Sequence, residues 1–422
     1  MEIFELSIQA RDQQVGLFQA VAQGEKADAE EVVFVPDKIF LENVNRLQER
    51  GPERFQDTLS QEKTCAAVGQ QLFSSFFRGK VLDRFRSYRS VNSPPRIALT
   101  LPRSLYYLPW EVLQDTIDPM GQFLSMYGSV VRFDAESKQP NDVLFVNTES
   151  ELNLLLVLAS TVDRPIAQFE LDGTERINLH VVRPASYDQF ERTAKRNSPC
   201  AGGFVFFGHG VMDGQYGALM FTRNEWRRLA RIPVGDPKRG NIITDAIGPD
   251  NKMLMACLFA CESAWAREEV TFERSVAGSI LVRTWLPFVI GAQIDFDFAA
   301  ATEFLDRFLV ALEDGSPLDI AMGLGRKAVK ALDQKGVGQL YSCLDWWVPV
   351  LYARTNNFLI LPDKDALSFP LPSPGDSPPS PQFSESKVRP ADVLKAYAPR
   401  IKAFFSSERE ENLKALRSGA SE

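Results

Sequence analysis

The second half of the chain alternates short, almost continuous apolar runs with longer segments of helical spacing. The apolar runs predict buried strands at 153–160, 177–182, 203–208, 252–260 and 347–354, with a further strand at the end of 284–293. Helical spacing predicts helices at 186–196, 298–312 and 317–332. Apolar strands separated by helices are typical of a mostly parallel sheet flanked by helices on both faces. The pattern therefore predicts an α/β fold.

The first 140 residues carry a less regular version of the same pattern. Strand-like runs lie at 31–35, 96–101 and 128–133, and helical patterns lie at 38–50 and 58–77. We therefore divide the chain into an N-terminal α/β half (1–140) and a second α/β half (141–361).

The composition changes after residue 361. Residues 362–390 are rich in Pro and Ser, which predicts a disordered linker, and residues 391–422 regain helical spacing. Two interpretations of this helical tail stay open. It docks on a partner or regulatory surface, or it packs permanently on its own domain.

Composition and charge exclude several classes of protein. The 422 residues carry a formal net charge of −8, whereas a dedicated nucleic-acid binder needs a basic excess to neutralise phosphates. The apolar runs are shorter than the roughly 18 to 20 residues that span a bilayer, and the start of the chain lacks the features of a secretory signal. We expect a cytoplasmic protein without membrane association. Its five cysteines are then free thiols.

Motifs for metal binding, for nucleotide cofactors and for serine hydrolases are missing from the sequence. The two His and five Cys form no CxxC or HxxxH pair, so we expect no metal. No GxxxxGK[ST] or GxSxG motif occurs, and Gly323-Leu324-Gly325 lies within a helical pattern, so it is no dinucleotide fingerprint. Asp295 and Asp297 have no further ligands nearby and fit a substrate pocket or a solvated loop better than a metal site. We expect no cofactor.

One pair of residues suggests chemistry. His209 and Cys261 lie about fifty residues apart, each just after a predicted buried strand. A cysteine thiolate can attack a carbonyl carbon while an imidazole protonates the leaving amine. The N–H groups of Gly210 and of Cys261 itself could bind the oxyanion. Cys257 alternates in phase with apolar neighbours and should be a core residue, and His180 should be a structural histidine of a strand.

These residues lie in motifs that resemble a known family. FFGHG (206–210) and FACESA (259–264) resemble the His-Gly and Ala-Cys motifs of the caspase-like fold, most closely its CHAT branch, which is related to separases. LYYLPWEVL (105–113), SVAGSILVRTWLPFVIGAQ (275–293), the helical stretch 298–329 and WWVPVLYA (346–353) resemble further CHAT segments in the same order. The resemblance covers about residues 30–360.

The resemblance implies a caspase-like cysteine peptidase with a dyad of His209 and Cys261, in which residues 1–140 form the N-terminal part of the CHAT domain. In separase-like sequences an acid after the same strand contributes to the pocket for the residue before the cut, which here implies Asp295. Ile294 and Asp297 depart from the family pattern, and the superhelical repeats that often accompany CHAT domains are missing.

Two hypotheses for the function follow. The first is an endopeptidase that cleaves a protein substrate, after a basic residue, under the control of a regulatory protein partner; the family resemblance implies bacterial defence. The alternative is a catalytically silent CHAT-like scaffold that recruits partners.

Overall fold

The computed structural model describes residues 2–13, 15–23, 27–48, 58–92, 94–116, 121–134, 151–159, 175–182, 186–197, 201–213, 216–223, 228–233, 253–260, 263–264, 274–284, 286–332 and 343–361. The strands are β1 Phe4–Asp12, β2 Leu17–Ala22, β3 Asp28–Val33, β4 Arg96–Leu101, β5 Ser129–Asp134, β6 Leu152–Leu158, β7 Ile177–Val182, β8 Ala201–Phe207, β9 Gly210–Asp213, β10 Tyr216–Arg223, β11 Arg228–Pro233, β12 Met255–Phe259, β13 Phe288–Ala292 and β14 Pro349–Ala353. The helices are α1 Lys38–Gln48, α2 Thr58–Phe76, α3 Gly79–Val91, α4 Leu124–Tyr127, α5 Tyr187–Asn197, α6 Val276–Arg283, α7 Phe298–Glu313 and α8 Leu318–Ala331.

Most strands belong to one large sheet. Within the described residues it has eleven strands in the order β3-β2-β1-β4-β5-β14-β13-β12-β8-β6-β7, and β11-β10-β9 form a small second sheet. The predicted α/β fold, with a mostly parallel sheet flanked by helices, is confirmed.

Nine of the eleven strands in the large sheet form two parallel blocks that run in opposite directions, and β2 and β3 extend the first block in antiparallel pairing. β1, β4, β5 and β14 form one block, and β13, β12, β8, β6 and β7 form the other. The blocks meet at the antiparallel pair β13 and β14, where Ile290 faces Leu351. Because β8, β12 and β13 are parallel neighbours, their carboxyl ends lie at one edge of the sheet. Open α/β sheets bind ligands at such edges.

Helices cover the sheet through aromatic contacts. Phe4 of β1 packs on Phe77 and Phe85 on one face, and Phe259 of β12 packs on Phe304 of α7 on the other. Local capping fixes where two of these helices begin. The Asp37 carboxylate accepts a hydrogen bond from the Phe40 N–H at 2.7 Å ahead of α1, and Ser275 caps α6.

Several elements were not predicted from the sequence. They are β1, β2, α3 and the small sheet β9 to β11, while the strand predicted at 31–35 begins earlier, at Asp28. The linker 362–390 and the tail 391–422 lie outside the described residues. No helix in the described part of the chain is long and apolar enough to cross a membrane.

Candidate active site

The carboxyl ends of β8 and β12 bring the two candidate motifs to one place. Leu258 of β12 lies opposite Phe206 of β8, and beyond the strands the Gly208 N–H donates to the Phe259 carbonyl oxygen at 3.3 Å. Gly208 directly precedes His209, and Phe259 is two residues before Cys261. The sheet therefore holds the backbone before His209 against the backbone before Cys261. Cys261 and Glu262 themselves lie outside the described residues.

His209 is half-buried at the point where β8 ends and β9 begins. Its carbonyl oxygen accepts a hydrogen bond from the Met220 N–H at 2.9 Å, which joins it to β10. The next residue, Gly210, faces Leu219 across the antiparallel pair. The hydrogen bond joins His209, the residue before Gly210, to Met220, the residue after Leu219. Gly210 and Leu219 are therefore a non-hydrogen-bonded pair of the antiparallel ladder. The Gly210 N–H therefore points away from β10.

The turn after β12 is tied to the neighbouring strand β13. The Ser263 N–H donates to the Ala260 carbonyl at 3.1 Å. The Ser263 hydroxyl donates to the Leu258 carbonyl at 3.0 Å and accepts from the Ala292 N–H at 2.9 Å. Sequence analysis gave Ser263 no role.

The end of β13 leads into a cluster of buried polar side chains, Glu111, Arg132 and Gln293, which we call the Glu111 cluster. Glu111 and Arg132 are 0% exposed and Gln293 is 5% exposed. The Gln293 amide donates to Glu111 Oε2 at 2.9 Å, and Arg132 Nε donates to Glu111 Oε1 at 3.0 Å. Arg132 also donates to Gln293 Oε1 at 3.1 Å. The cluster links the LPWE segment to the end of β13.

Electrostatics favours the charged form of Arg132 in this cluster. Burial alone would lower the pKa of Arg132, but the Glu111 carboxylate holds the pKa of that guanidinium above its ordinary value. Burial lowers the pKa of the nearby Arg326 to about 10, opposed by Glu111. Arg326 donates to the Pro349 carbonyl at 2.7 Å. Both guanidinium groups stay cationic at neutral pH.

Asp295 and Asp297 follow the cluster and differ in their surroundings. Asp297 Oδ1 accepts from the Ala299 N–H at 2.9 Å and from the Ala300 N–H at 3.3 Å, so it caps α7. Sequence analysis missed this cap, although an Asp directly before a predicted helix is its usual signal. Asp295 is half-buried, two residues beyond Gln293 at the edge that also carries His209.

Two further residues singled out from the sequence, Cys257 and His180, lie within strands. Cys257 is 0% exposed within β12, and burial raises the pKa of its thiol, so the prediction of a core residue is confirmed. His180 lies on strand β7, as predicted; its side chain is exposed, with Nε2 3.4 Å from Asn153 Oδ1. No group of three or more His, Cys, Asp or Glu in the described ranges could hold a metal ion.

Comparisons with known proteins give a likeness to solved structures only. No family model matches the chain, and no curated protein matches it. Two crystal structures of the Saccharomyces cerevisiae separase-securin complex are similar to it at 12% sequence identity, with TM-scores of 0.48 and 0.45. The similarity covers 84% and 83% of this chain, and in both cases 30% of the matched chain. The chain thus spans less than a third of the length of the chains it resembles.

Proposed function

We propose that the protein is a cysteine endopeptidase of the CHAT type, with Cys261 as nucleophile and His209 as general acid and base. The observation that carries this proposal is the hydrogen bond between Gly208 and Phe259 at the ends of β8 and β12. It brings together the chain segments that lead directly into the two residues. The resemblance of both motifs to CHAT domains supports the same pair.

The chemistry follows from the residue types. His209 takes the thiol proton of Cys261, and the thiolate attacks the carbonyl carbon of the peptide bond. The N–H groups of Gly210 and Cys261 stabilise the oxyanion, a contribution worth about a hundred- to a thousandfold in rate for one such donor. The C–N bond then breaks, and His209 gives its proton to the leaving amine. Water, deprotonated by His209, hydrolyses the thioester and returns the thiol.

Two features support the oxyanion site and the substrate pocket. The Gly210 N–H points away from its neighbouring strand β10, and Gly210 carries no Cβ that would exclude a substrate carbonyl. Asp295 supplies a carboxylate at the same edge and would pair with an Arg or Lys side chain before the cut. A regulatory protein partner and a role in bacterial defence are proposed from the family resemblance, and a cytoplasmic location is proposed from the sequence pattern.

Thiol reactivity tests the proposed dyad without knowledge of the substrate. The intact protein is treated with iodoacetamide between pH 5 and 9, and the modified cysteines are located by mass spectrometry. An adjacent imidazole lowers a thiol pKa, so we expect Cys261 to react at least about tenfold faster at pH 7 than free cysteine does. His209→Ala should abolish the advantage, and buried Cys257 is the internal control that stays unmodified.

A cleavage experiment tests the reaction itself. A proteome-derived peptide library is incubated with the wild type and with Cys261→Ala, and new N-termini are sequenced. New termini that depend on Cys261 are expected. Ordinary reactivity of Cys261 in both the wild type and His209→Ala, together with identical termini in both samples, would favour the silent scaffold.

A further inference from the structure

Ser263 has a fully buried hydroxyl group that bridges two strand ends. Its side chain is 0% exposed. The Oγ atom donates to the Leu258 carbonyl at 3.0 Å and accepts from the Ala292 N–H at 2.9 Å. A single hydroxyl thus satisfies one backbone acceptor of β12 and one backbone donor of β13.

The backbone of the same short segment adds three further bonds. The Ser263 N–H donates to the Ala260 carbonyl at 3.1 Å, and the Ala264 N–H donates to the Ala292 carbonyl at 2.9 Å. The Ser263 carbonyl accepts from the Ala277 N–H at 2.7 Å in the first turn of α6. Ala292 is therefore bound through both its N–H and its C=O by the segment that follows the candidate nucleophile.

The packing leaves this segment little freedom against β13. A Cβ placed on Gly291 would lie 2.8 Å from the Ala264 Cβ and 3.1 Å from the Ala277 Cβ. Such distances are shorter than van der Waals contact, so the absence of a side chain at Gly291 permits the close approach. The hydroxyl of Ser263 consequently has a fixed partner at a fixed distance.

Strand β13, whose Ala292 N–H donates to Ser263, is also bound on its other side. The Gln293 N–H donates to the Val348 carbonyl at 3.1 Å, and the Gln293 amide donates to Glu111 at 2.9 Å. The end of β13 therefore has anchors toward β14 and toward the Glu111 cluster. These anchors allow the end of β13 to hold Ser263 in a fixed position.

We propose that Ser263 is a positioning residue, which through these bonds helps to place Cys261, two residues earlier in the chain, relative to His209. This inference rests on the proposed function. Loss of the hydroxyl removes a hydrogen-bond partner from a buried C=O and from a buried N–H, a cost that favours a rearrangement of this segment. A displacement of about 1 Å at a reacting group can cost about a hundredfold in rate. Ser263 touches no substrate in this mechanism and acts only through the placement of the thiol.

The test uses the intact chain and the pH dependence of Cys261 alkylation by iodoacetamide. We expect Ser263→Ala to slow alkylation of Cys261 by about tenfold to a hundredfold at pH 7 and to move the midpoint of the profile to higher pH. Ser263→Thr keeps the hydroxyl and should keep the rate within about threefold. Ser129→Ala is the matched control, because it removes another buried serine hydroxyl. Ser129 lies on β5, and its hydroxyl donates to Asp319 of α8 at 2.7 Å.

The outcomes separate this inference from the proposed function. A folded Ser263→Ala protein with the wild-type profile, or an equal loss in Ser129→Ala, would overturn the positioning role. A wild type in which Cys261 shows no enhanced reactivity would instead overturn the dyad. If the alanine variant does not fold, Ser263→Cys replaces it, because the slightly larger thiol fills the site and weakens both hydrogen bonds. Fragment-ion mapping separates the two thiols, and the comparison with the wild type and with Ser129→Ala is read in the same way.

Discussion

At the scale of single residues, the local backbone decides what two nearby carboxylates can do. Asp297 caps α7 with two backbone N–H groups, whereas Asp295 lies two residues earlier at the strand edge. A capping carboxylate is stabilised by the helix N-terminus and is unavailable to a substrate cation. Of these two acids we propose Asp295 for substrate recognition.

We predict that Asp295 sets a preference for a basic residue before the scissile bond. A charge-assisted hydrogen bond is worth about 1.5 to 3 kcal/mol, which corresponds to roughly a ten- to a hundredfold preference. Asp295→Asn should reduce that preference to near unity in a peptide library, with little change in the rate for peptides that carry an apolar residue there. Asp188→Asn, on the exposed side of α5, is the control and should leave the preference intact. Equal rates for basic and apolar residues in the wild type would contradict the assignment.

The site itself was predictable from sequence only where chemistry and strand ends coincide. His209 and Gly210 follow an apolar run, so their position at a strand end could be foreseen. The role of Ser263 could not, because it depends on the register between β12 and β13, and one sequence carries no information on that register. For the Glu111 cluster, the sequence offered two signals: a Glu in the otherwise apolar LPWE segment and a Gln directly after an apolar strand.

At the scale of secondary structure, buried parallel strands were easier to predict than antiparallel ones. β8, β12, β13 and β14 are apolar throughout and matched the predicted runs. β2 alternates buried and partly exposed positions, β1 ends in four positions that are exposed or partly buried, and the small sheet follows His209 without a long apolar run. Val81 and Phe85 are the buried residues of α3, so its apolar pattern is weak.

We predict that the buried Glu111–Arg132 ion pair contributes strongly to the stability of the fold, and Gln293 connects this pair to the end of β13. Removal of one partner of a buried pair leaves an uncompensated charge and costs about 3 to 5 kcal/mol. Glu111→Leu should lower the free energy of unfolding by that amount in denaturant titrations. Adding Arg132→Met should recover part of the loss, because both charges are then gone.

A surface pair provides the comparison for this measurement. Lys195 and Glu191 approach to 2.7 Å on α5, with side chains 58% and 32% exposed. Exposed pairs contribute about 0.2 to 1 kcal/mol, so Glu191→Ala should change little. A cost below about 1 kcal/mol for Glu111→Leu would mean that the buried pair contributes no more to stability than an exposed pair does.

At the scale of the whole molecule, the last described strand ties the chain together. β14 pairs with β5 on one side and with β13 on the other, so a segment near residue 350 joins the N-terminal strands to the strands that carry the candidate site. Phe358, Ile360 and Leu361 after it are buried. The folded body therefore needs the chain up to Leu361.

We predict that the remaining 362–422 segment acts in regulation or partner binding. Its Pro- and Ser-rich composition predicts that limited proteolysis first cuts within 373–381. The resulting body should keep a cooperative unfolding transition, because the cut leaves every buried contact of β14 in place.

The tail regains apolar side chains at helical spacing, which need a surface to cover them. Truncation after Leu361 should therefore change Cys261 alkylation, substrate cleavage or partner capture, measured beside the full chain, and unchanged values in all three would exclude the tail from the mechanism.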